Sequence, residues 1–324
     1  MPLIDGRDAA AVQAAAEQIA RGALAAFPTE TVYGLGARAD DDNAVAAIFA
    51  AKGRPSDHPL IVHIADAQAI AAFALPPGPA AQALMAAFWP GPLTLILPRR
   101  PGRGEAAAGG QASIGLRLPS HPVALALLRA CAGLGVAGVA APSANRFGRV
   151  SPTTAAHVQQ EFGPDLMVLD GGACDVGIES AIVDCTRETP ALLRPGGLDR
   201  RRLEQVLGRP LAAPDAASPR ASGTLEAHYA PRAKVVLMDA PALHAALRGQ
   251  WPQGLAVYSR VVPPASAGVG HRAMPTSAEA AAHELFAMLR EFDADGASVI
   301  WVERPPPGPE WDGVRDRLQR AAAA

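Results

Sequence analysis

The chain lacks several features that would each indicate a particular class of protein. It has only three cysteines, Cys131, Cys174 and Cys185, and none of them forms a CxxC spacing. This pattern argues against a disulfide framework or a zinc knuckle and indicates buried thiols in a reducing compartment. The N-terminus has no apolar signal core, and no apolar stretch reaches the roughly 18 residues of a membrane span. We therefore expect a cytoplasmic protein without membrane contact.

An excess of positive charge is also missing. The chain has 29 basic and 31 acidic residues, which give a formal net charge of -2. Proteins that hold nucleic acid mainly through its phosphates need a broad positive field, so stable nucleic-acid binding is not expected. The sequence contains no GxxxxGK[ST] motif, which argues against a P-loop nucleotidase.

The length of 324 residues is sufficient for about two domains, each with its own core. Residues 1–211 are predicted to form a mixed α/β sheet, because strands outnumber helices and several strands follow one another directly. The predicted strands lie at 23–27, 60–64, 93–97, 113–118, 135–141, 165–170, 180–186 and 191–194. The predicted helices lie at 9–21, from Asp41 or Asp42 to Lys52-Gly53, and at 79–88, 121–131, 153–162 and 199–207.

A segment without periodicity separates this first domain from a second pattern. Residues 212–231 are rich in Pro, Ser and Gly and are predicted to be a linker. Residues 232–324 alternate strand and helix in a βαβαβα order, which predicts a small parallel, Rossmann-like α/β domain. Its predicted strands lie at 234–238, 255–259 and 298–303, and its predicted helices at 242–248, at 277–291 and from Glu310.

Polar and cationic side chains concentrate where the predicted strands of the first domain end. PTETVYGLG (28–36) is predicted to be the exit loop of the first strand, and KGRPSDHP (52–59) precedes the strand that ends at His63. PSANRFGRVS (142–151) leaves another apolar strand in the same way. Because ligands of open α/β sheets commonly bind outside strand ends, these loops are expected to converge on one cleft.

Two arginines interrupt apolar strand patterns and point to the same cleft. Arg117 lies in GLRLP and Arg194 in LLRPGG, where a buried guanidinium is costly unless it is paired with an anion. Each feature alone has a structural explanation: an ion-paired arginine, a core histidine at His63, cations at a helix C-terminus, or turn residues at Ser143 and Asn145. Their joint occurrence at strand exits favours a binding site for anions.

Five motifs together resemble one known family. PTETVYGLG, AKGRPSDHPLIVHI, GLRLP, APSAN and LRPGG closely resemble the YrdC-like family, and HYAP (228–231) with the domain behind it resembles the two-domain threonylcarbamoyl-AMP synthases. The resemblance covers nearly the whole chain. It implies a YrdC-like open twisted mixed sheet with flanking helices, followed by a small Rossmann-like domain.

The activity implied by the resemblance is an adenylate-forming reaction. L-threonine, bicarbonate and ATP give threonylcarbamoyl-AMP and pyrophosphate, and downstream proteins transfer the threonylcarbamoyl group to an adenosine next to the anticodon of tRNA. Mg²⁺ is expected to be held mainly by ATP phosphates and water, without a metal cage from the protein. Since the carbamate oxygen is already an anion, positioning and charge neutralisation are expected to dominate over base catalysis.

The resemblance also implies roles for residues at matching motif positions. Lys52 and Arg54 of KGRP are expected to be the catalytic cations that hold the ATP phosphates. The expected threonine contacts are Thr31, His63, Arg117, Ser180 and the backbone at Ala141, with Arg117 gripping the carboxylate in a two-pronged contact. The further expected nucleotide contacts are His58, Ser113, Ser143, Asn145, Ser151, Arg194 and, closing over the site from the linker, Tyr229.

The chain departs from its relatives at two motifs. It reads DHPL where many relatives read DNPL, so that His58 replaces an asparagine, and its linker reads SGTLEAHYAP rather than the SPGM-type form.

Two rival functions also have to be weighed. A YrdC-like RNA-binding or regulatory module without synthase activity conflicts with the charge balance and the intact KxR and SxN elements. Carbamoyl transfer in hydrogenase maturation uses large partner modules and cysteine-rich zinc segments, which this chain lacks.

Overall fold

A computed structural model describes residues 3–263 and 269–324. Residues 3–194 form a ten-stranded sheet in the order β1-β8-β2-β3-β7-β4-β6-β5-β9-β10, in which parallel and antiparallel pairs both occur. The predicted mixed α/β sheet is thereby confirmed. Its strands are β1 (Leu3–Asp5), β2 (Ala25–Phe27), β3 (Gly34–Arg38), β4 (Ile61–His63), β5 (Leu93–Pro98), β6 (Ser113–Arg117), β7 (Val139–Ala140), β8 (Met167–Asp170), β9 (Ala181–Asp184) and β10 (Ala191–Arg194).

Helices cover both faces of this sheet. They are α1 (Ala9–Ala20), α2 (Asp42–Lys52), α3 (Ile70–Phe73), α4 (Pro79–Phe88), α5 (Pro122–Gly133), α6 (Ala155–Phe162) and α7 (Arg200–Leu207). α1 and α5 share one apolar cluster with the sheet, whereas α2, α3, α4, α6 and α7 contribute to the cluster on the other face. The carboxylates of Asp8 and Asp41 accept backbone N–H groups at the starts of α1 and α2, as their capping positions predict.

The second half of PTETVYGLG is a strand, which corrects the prediction of a single exit loop. β3 pairs antiparallel with β2, with Gly34 opposite Phe27. A Cβ at Gly36 would lie only 2.8 Å from the Phe27 ring and 2.9 Å from Val139, so the glycine lets the sheet pack tightly here. Glycines that are typical of turns therefore concealed a buried strand. β1 was also missed, because only three residues at the edge of the sheet form it.

The C-terminal region forms a separate four-stranded sheet, in which every pair is parallel, as predicted. Its elements are β11 (Lys234–Met238), α8 (Ala240–Ala246), β12 (Leu255–Ser259), β13 (Gly270–Ala273), α9 (Ala278–Ala294), β14 (Val299–Glu303) and α10 (Asp312–Ala322). The sheet order is β11-β14-β12-β13. The edge strand β13 has the sequence GHRA and is largely exposed, which explains why it carries no apolar strand signal.

The two sheets are joined by direct packing through the linker. Val32, Ile178 and Tyr229 share an apolar cluster with α9 and α10 of the C-terminal region. The contact is close, because a Cβ at Gly313 of α10 would lie 2.5 Å from the carbonyl oxygen of Gly196. In the part of the chain that the structure describes, no helix combines the length and the apolar character needed to cross a bilayer.

Candidate functional site

One edge of the ten-stranded sheet brings distant strand ends together around a pocket. The register of β4 and β6 places His63 directly opposite Arg117. The loops after β2 and β7 and the segment before β9 reach the same edge, and the pocket there has an empty volume of about 470 Å³. The strand-exit loops therefore converge on one cleft, as the sequence predicts.

Nine of the residues expected at the site line this pocket. They are Thr31, Arg54, His63, Arg117, Ala141, Ser143, Ser180, Arg194 and Tyr229. The other five expected residues lie outside its lining: Lys52, His58, Ser113, Asn145 and Ser151. Three guanidinium groups from separate segments thus face one cavity, which supports the anion-binding character inferred from the sequence.

Arg117 forms one end of the pocket and is held by three protein groups. Its Nη2 lies 2.8 Å from Oε1 of Glu30, its Nη1 donates to Oγ1 of Thr31 at 2.8 Å, and its Nε donates to the carbonyl oxygen of Gly91 at 3.3 Å. Burial by itself raises the pKa of the Glu30 carboxyl, but the charge and hydrogen bond of Arg117 outweigh burial, so the pKa lies below its ordinary value. A guanidinium has five N–H groups, so two of them remain for a ligand.

Arg54 and Arg194 form the end of the pocket that the linker covers. Arg54 donates to the carbonyl oxygen of Pro59 at 3.0 Å, and its buried Nε has no hydrogen-bond partner among the described residues. Arg194 donates to the carbonyl oxygen of Ser180 at 2.9 Å and to that of Ser222 at 2.8 Å. Burial lowers the pKa of Arg54 only to about 10, so its charge persists at neutral pH.

The side chain of Lys52 supports the pocket wall from behind. Its Nζ donates to the carbonyl oxygen of Ser143 at 2.6 Å and also to that of Asn145, and the residue is only 2% exposed. Burial holds the pKa of Lys52 well below its usual value. Asn145 in turn donates to the carbonyl oxygens of Arg146 and Arg149, while its buried Oδ1 has no partner in the described residues. Lys52 therefore fixes the loop that presents Ser143.

Three other expected nucleotide contacts are likewise absent from the lining of this cavity. Ser113 lies at the opposite end of β6 from Arg117, where it pairs with Pro98. The hydroxyl of Ser151 is bonded to the carboxylate of Glu179. His58 lines a neighbouring pocket with an empty volume of about 370 Å³, where its ring lies 5.5 Å from that of Phe147. Their assigned roles remain predictions.

Two histidines in the lining are neutral at physiological pH. Burial lowers the pKa of both His63 and His228 to about 3, and the nearby charges of Arg117 and Arg54 respectively act in the same direction. The positive charge of the pocket therefore comes from guanidinium groups, which do not titrate near neutrality.

Sequence reasoning missed several residues that line the pocket. The linker contributes Ser222, Gly223 and His228 in addition to Tyr229, and the wall includes the carboxylate of Glu179. His228 precedes Tyr229 in HYAP, so the linker motif contained a signal for it. Glu179 directly precedes Ser180, but the sequence offers no sign of the charge that compensates it. Apolar members such as Val32 and Ile61 are indistinguishable from core residues in the sequence.

The carboxylate of Glu179 is bonded on both oxygens. Oε1 accepts from the hydroxyl of Ser151, and Oε2 lies 2.8 Å from Nε of Arg317 in α10. Burial by itself raises the pKa of the Glu179 carboxyl, but the charges of Arg317 and Arg194 and these hydrogen bonds bring it below the ordinary value. The group is therefore an anion in the pocket wall.

Family models match both parts of the chain. A model described as telomere recombination, of the Sua5, YciO and YrdC group, matches residues 17–196. A second model, described as the C-terminal domain of threonylcarbamoyl-AMP synthase, matches residues 198–323.

Individual relatives extend this similarity to almost the full length. A threonylcarbamoyl-AMP synthase of Bacillus subtilis is 39% identical over 316 residues, covering 92% of this chain and 89% of the relative. A protein of the same name from Pyrococcus abyssi is 43% identical over 236 residues, covering 71% of this chain and 68% of the relative. The crystal structure of P. abyssi Sua5 complexed with L-threonine matches with a TM-score of 0.90 at 35% identity, covering 99% of this chain and 98% of that one.

Proposed function

Because this chain belongs to the Sua5/YrdC family of two-domain threonylcarbamoyl-AMP synthases, we propose that its pocket converts L-threonine, bicarbonate and ATP into threonylcarbamoyl-AMP and pyrophosphate. The observation that carries this proposal is the convergence of Arg54, Arg117 and Arg194 on one pocket of about 470 Å³. Threonine carboxylate, carbamate and triphosphate are all anionic, and each close charge pair is worth about 4 kcal/mol at an effective dielectric of 20.

Threonine occupies the Arg117 end of the pocket in this proposal. The two free N–H groups of Arg117 suit a carboxylate, and its contacts with Glu30 and Thr31 fix the guanidinium plane before substrate arrives. Neutral His63 and the hydroxyl of Ser180 lie in the same lining and offer hydrogen bonds to the polar groups of threonine. The backbone at Ala141 completes this wall.

ATP occupies the end that the linker covers. Arg54 has an unpartnered buried Nε among the described residues, so its guanidinium is available to phosphate oxygens, and Arg194 adds positive charge at the same end of the pocket. Ser143 presents its hydroxyl at the same wall, where Lys52 holds the loop. The ring of Tyr229 closes the site from the linker.

The chemistry follows from placing the two substrates end to end. The amine of threonine attacks the carbon of bicarbonate and a water molecule leaves, which gives the carbamate. The carbamate oxygen then attacks the α-phosphorus of ATP while pyrophosphate leaves. The lining arginines neutralise charge on the α-phosphate and the leaving group, and the enclosed pocket excludes water that would hydrolyse the product. With pKa values lowered to about 3, His63 and His228 are weak bases, which agrees with an attacking group that is already ionised.

Mg²⁺ is proposed to reach the site on ATP. Glu179 is the one carboxylate among the described residues that line the pocket, and both its oxygens are engaged by Ser151 and Arg317. Within the described ranges no group of three or more His, Cys, Asp or Glu is placed to hold a metal. With its one carboxylate engaged, the lining suits an Mg²⁺ ion that would be coordinated by phosphate oxygens and water and would neutralise charge on the phosphates.

The product is proposed to pass to downstream proteins that transfer the threonylcarbamoyl group to tRNA. An adenylate is a reactive mixed anhydride, so a transfer step has to consume it soon after release. We place this sequence of reactions in the cytoplasm, where ATP and tRNA are found.

The deciding experiment identifies the product by mass. Purified protein mixed with ATP, bicarbonate, Mg²⁺ and L-threonine should release pyrophosphate and form threonylcarbamoyl-AMP, and L-serine in place of threonine measures the selectivity. Reactions without bicarbonate or amino acid are the controls. Pyrophosphate release without an amino-acid adenylate would contradict the proposed reaction.

The linker is proposed to be a lid that opens for ATP and closes over it. Its residues Ser222, Gly223, His228 and Tyr229 roof the pocket, and Arg194 bonds the carbonyl oxygen of Ser222. Protease cleavage between residues 212 and 227 should therefore slow when ATP and threonine are bound. Cleavage at an unchanged rate would argue against a lid.

Gly223→Ala should weaken lid closure, because a Cβ at this position would lie 2.2 Å from the Tyr229 hydroxyl and 2.8 Å from Nη1 of Arg194. Relief of the clash opens the lid, and we expect product formation to fall about ten- to hundredfold, which corresponds to roughly 1–3 kcal/mol of strain. The matched control is Gly208→Ala, since Gly208 has a similar φ of +65° with open space around it. Equal activity of the two variants would contradict the prediction.

A further inference from the structure

The C-terminal region places a buried charge directly against the wall of the pocket. Arg317 of α10 is 1% exposed, and its guanidinium crosses the boundary between the two sheets. Nε bonds Oε2 of Glu179 at 2.8 Å, Nη2 donates to the carbonyl oxygen of Glu179 at 3.3 Å, and Nη1 donates to that of Pro195 at 2.9 Å. Both residues that accept these bonds flank lining residues, namely Ser180 and Arg194.

The same guanidinium contacts the lid. Its carbon lies 5.1 Å from the centre of the Tyr229 ring, which is within the range of a cation–π interaction. Tyr229 has a φ of 60°, a conformation that costs energy for a residue other than glycine and needs support from its surroundings. Arg317 therefore touches the fixed wall and the covering linker at once.

Close backbone packing fixes the position of α10 and therefore the position of Arg317. Gly313, one turn earlier on α10, packs so closely on Gly196 that a Cβ would lie 2.5 Å from its carbonyl oxygen. Gly196 lies equally close to the backbone of Ser180 and Ala181, where a Cβ would approach to 2.6 and 2.3 Å. The helix is thus held against the strand end that carries Glu179 and Ser180.

We propose that Arg317 is a positioning residue for the synthase reaction, through which the C-terminal domain compensates the charge of Glu179 and holds Tyr229 over the bound nucleotide. Glu179 is an anion in a pocket that has to accept triphosphate and carbamate. With Arg317 in place, its carboxylate is neutralised from behind, away from the ligand. Without Arg317, the carboxylate is compensated only in part, by the charge of Arg194 and the hydroxyl of Ser151, so that it and the anionic ATP repel each other more strongly.

This inference rests on the proposed function, because it takes the ligand beside Glu179 to be ATP. The alternative is that Arg317 only joins the two domains. The two explanations differ in a measurable way. Loss of an interface contact lowers stability and affects all kinetic constants alike, whereas loss of charge compensation raises the ATP KM selectively and is reversed when the charge of Glu179 is removed as well.

The experiment compares four variants in the full-length protein by ATP dissociation constant, KM and kcat. Arg317→Gln should raise the ATP dissociation constant and KM about tenfold or more, with a smaller change in the threonine KM. The double variant E179Q/R317Q should return the ATP constants to within about threefold of wild type, and Arg317→Lys should lie between. The control is Arg315→Gln, since Arg315 of the same helix bonds the carbonyl oxygens of Pro306 and Gly308 within the C-terminal region.

The outcomes separate the possible failures. ATP constants in R317Q that match those in R315Q, or a double variant no better than R317Q, would overturn the proposal. If R317Q is too unstable to assay, R317K takes its place. ATP constants in R317K that match those in R315Q would then overturn the proposal. Calorimetric ATP binding does not depend on turnover, so wild-type protein that binds ATP but makes no threonylcarbamoyl-AMP would refute the proposed function alone.

Discussion

Arg54→Ala is expected to lower threonylcarbamoyl-AMP formation by about three orders of magnitude while the fold stays intact. Arg54 lines the pocket, and its Nε has no hydrogen-bond partner in the described residues, so its removal costs the protein few contacts. A lost guanidinium–phosphate pair is worth about 4 kcal/mol at an effective dielectric of 20, which corresponds to roughly a thousandfold in rate. Pyrophosphate release at saturating threonine measures the effect.

Arg38→Ala is the matched control for Arg54. Arg38 ends β3 away from the pocket, and its guanidinium bonds Asp40 and the carbonyl oxygen of Ala20. Its removal should leave the rate within about twofold, as is usual for surface substitutions. Pyrophosphate release at the wild-type rate in Arg54→Ala would show that phosphate is held by other groups.

Lys52→Met is expected to reduce both stability and activity, in contrast to Arg54→Ala. Without the Lys52 side-chain nitrogen, the carbonyl oxygens of Ser143 and Asn145 lose a buried donor. The carbonyl oxygen of Ser143 still accepts the backbone N–H of Asn145 at 3.0 Å, so only that of Asn145 is left unsatisfied. One unsatisfied buried group costs about 1–3 kcal/mol, and we expect the free energy of unfolding to fall by about that amount. Because the loop that presents Ser143 then shifts, activity should drop at least tenfold. Denaturant unfolding and pyrophosphate release give the two values.

The chain contains a second lysine that serves as the control for Lys52. Lys234 at the start of β11 is exposed, so Lys234→Met should change neither the unfolding free energy nor the rate appreciably. An unfolding midpoint for Lys52→Met that equals the wild-type midpoint would mean that Lys52 does not support the loop. Loss of activity at unchanged stability would instead assign Lys52 a direct contact with ATP.

Local signals in the sequence predicted most of the elements that build the pocket. Asp8 and Asp41 cap helices through hydrogen bonds to residues two or three positions away, so the local sequence contains the whole interaction. The apolar runs that end at His63 and Arg117 likewise predicted β4 and β6. β3 was missed because its glycines are needed for packing against Phe27 and Val139, residues that the local sequence does not identify as neighbours.

The sequence by itself determined which cations the pocket uses, since Arg54 stands in a polar segment before a strand, and Arg117 and Arg194 interrupt apolar strand patterns. Only the tertiary structure decided which charged groups of the pocket pair with which opposite charges. Glu30 with Arg117, and Glu179 with Arg317, pair residues that lie far apart in the chain. The energy of such a pair depends on distance and burial in space, and neither quantity has a counterpart in the local sequence.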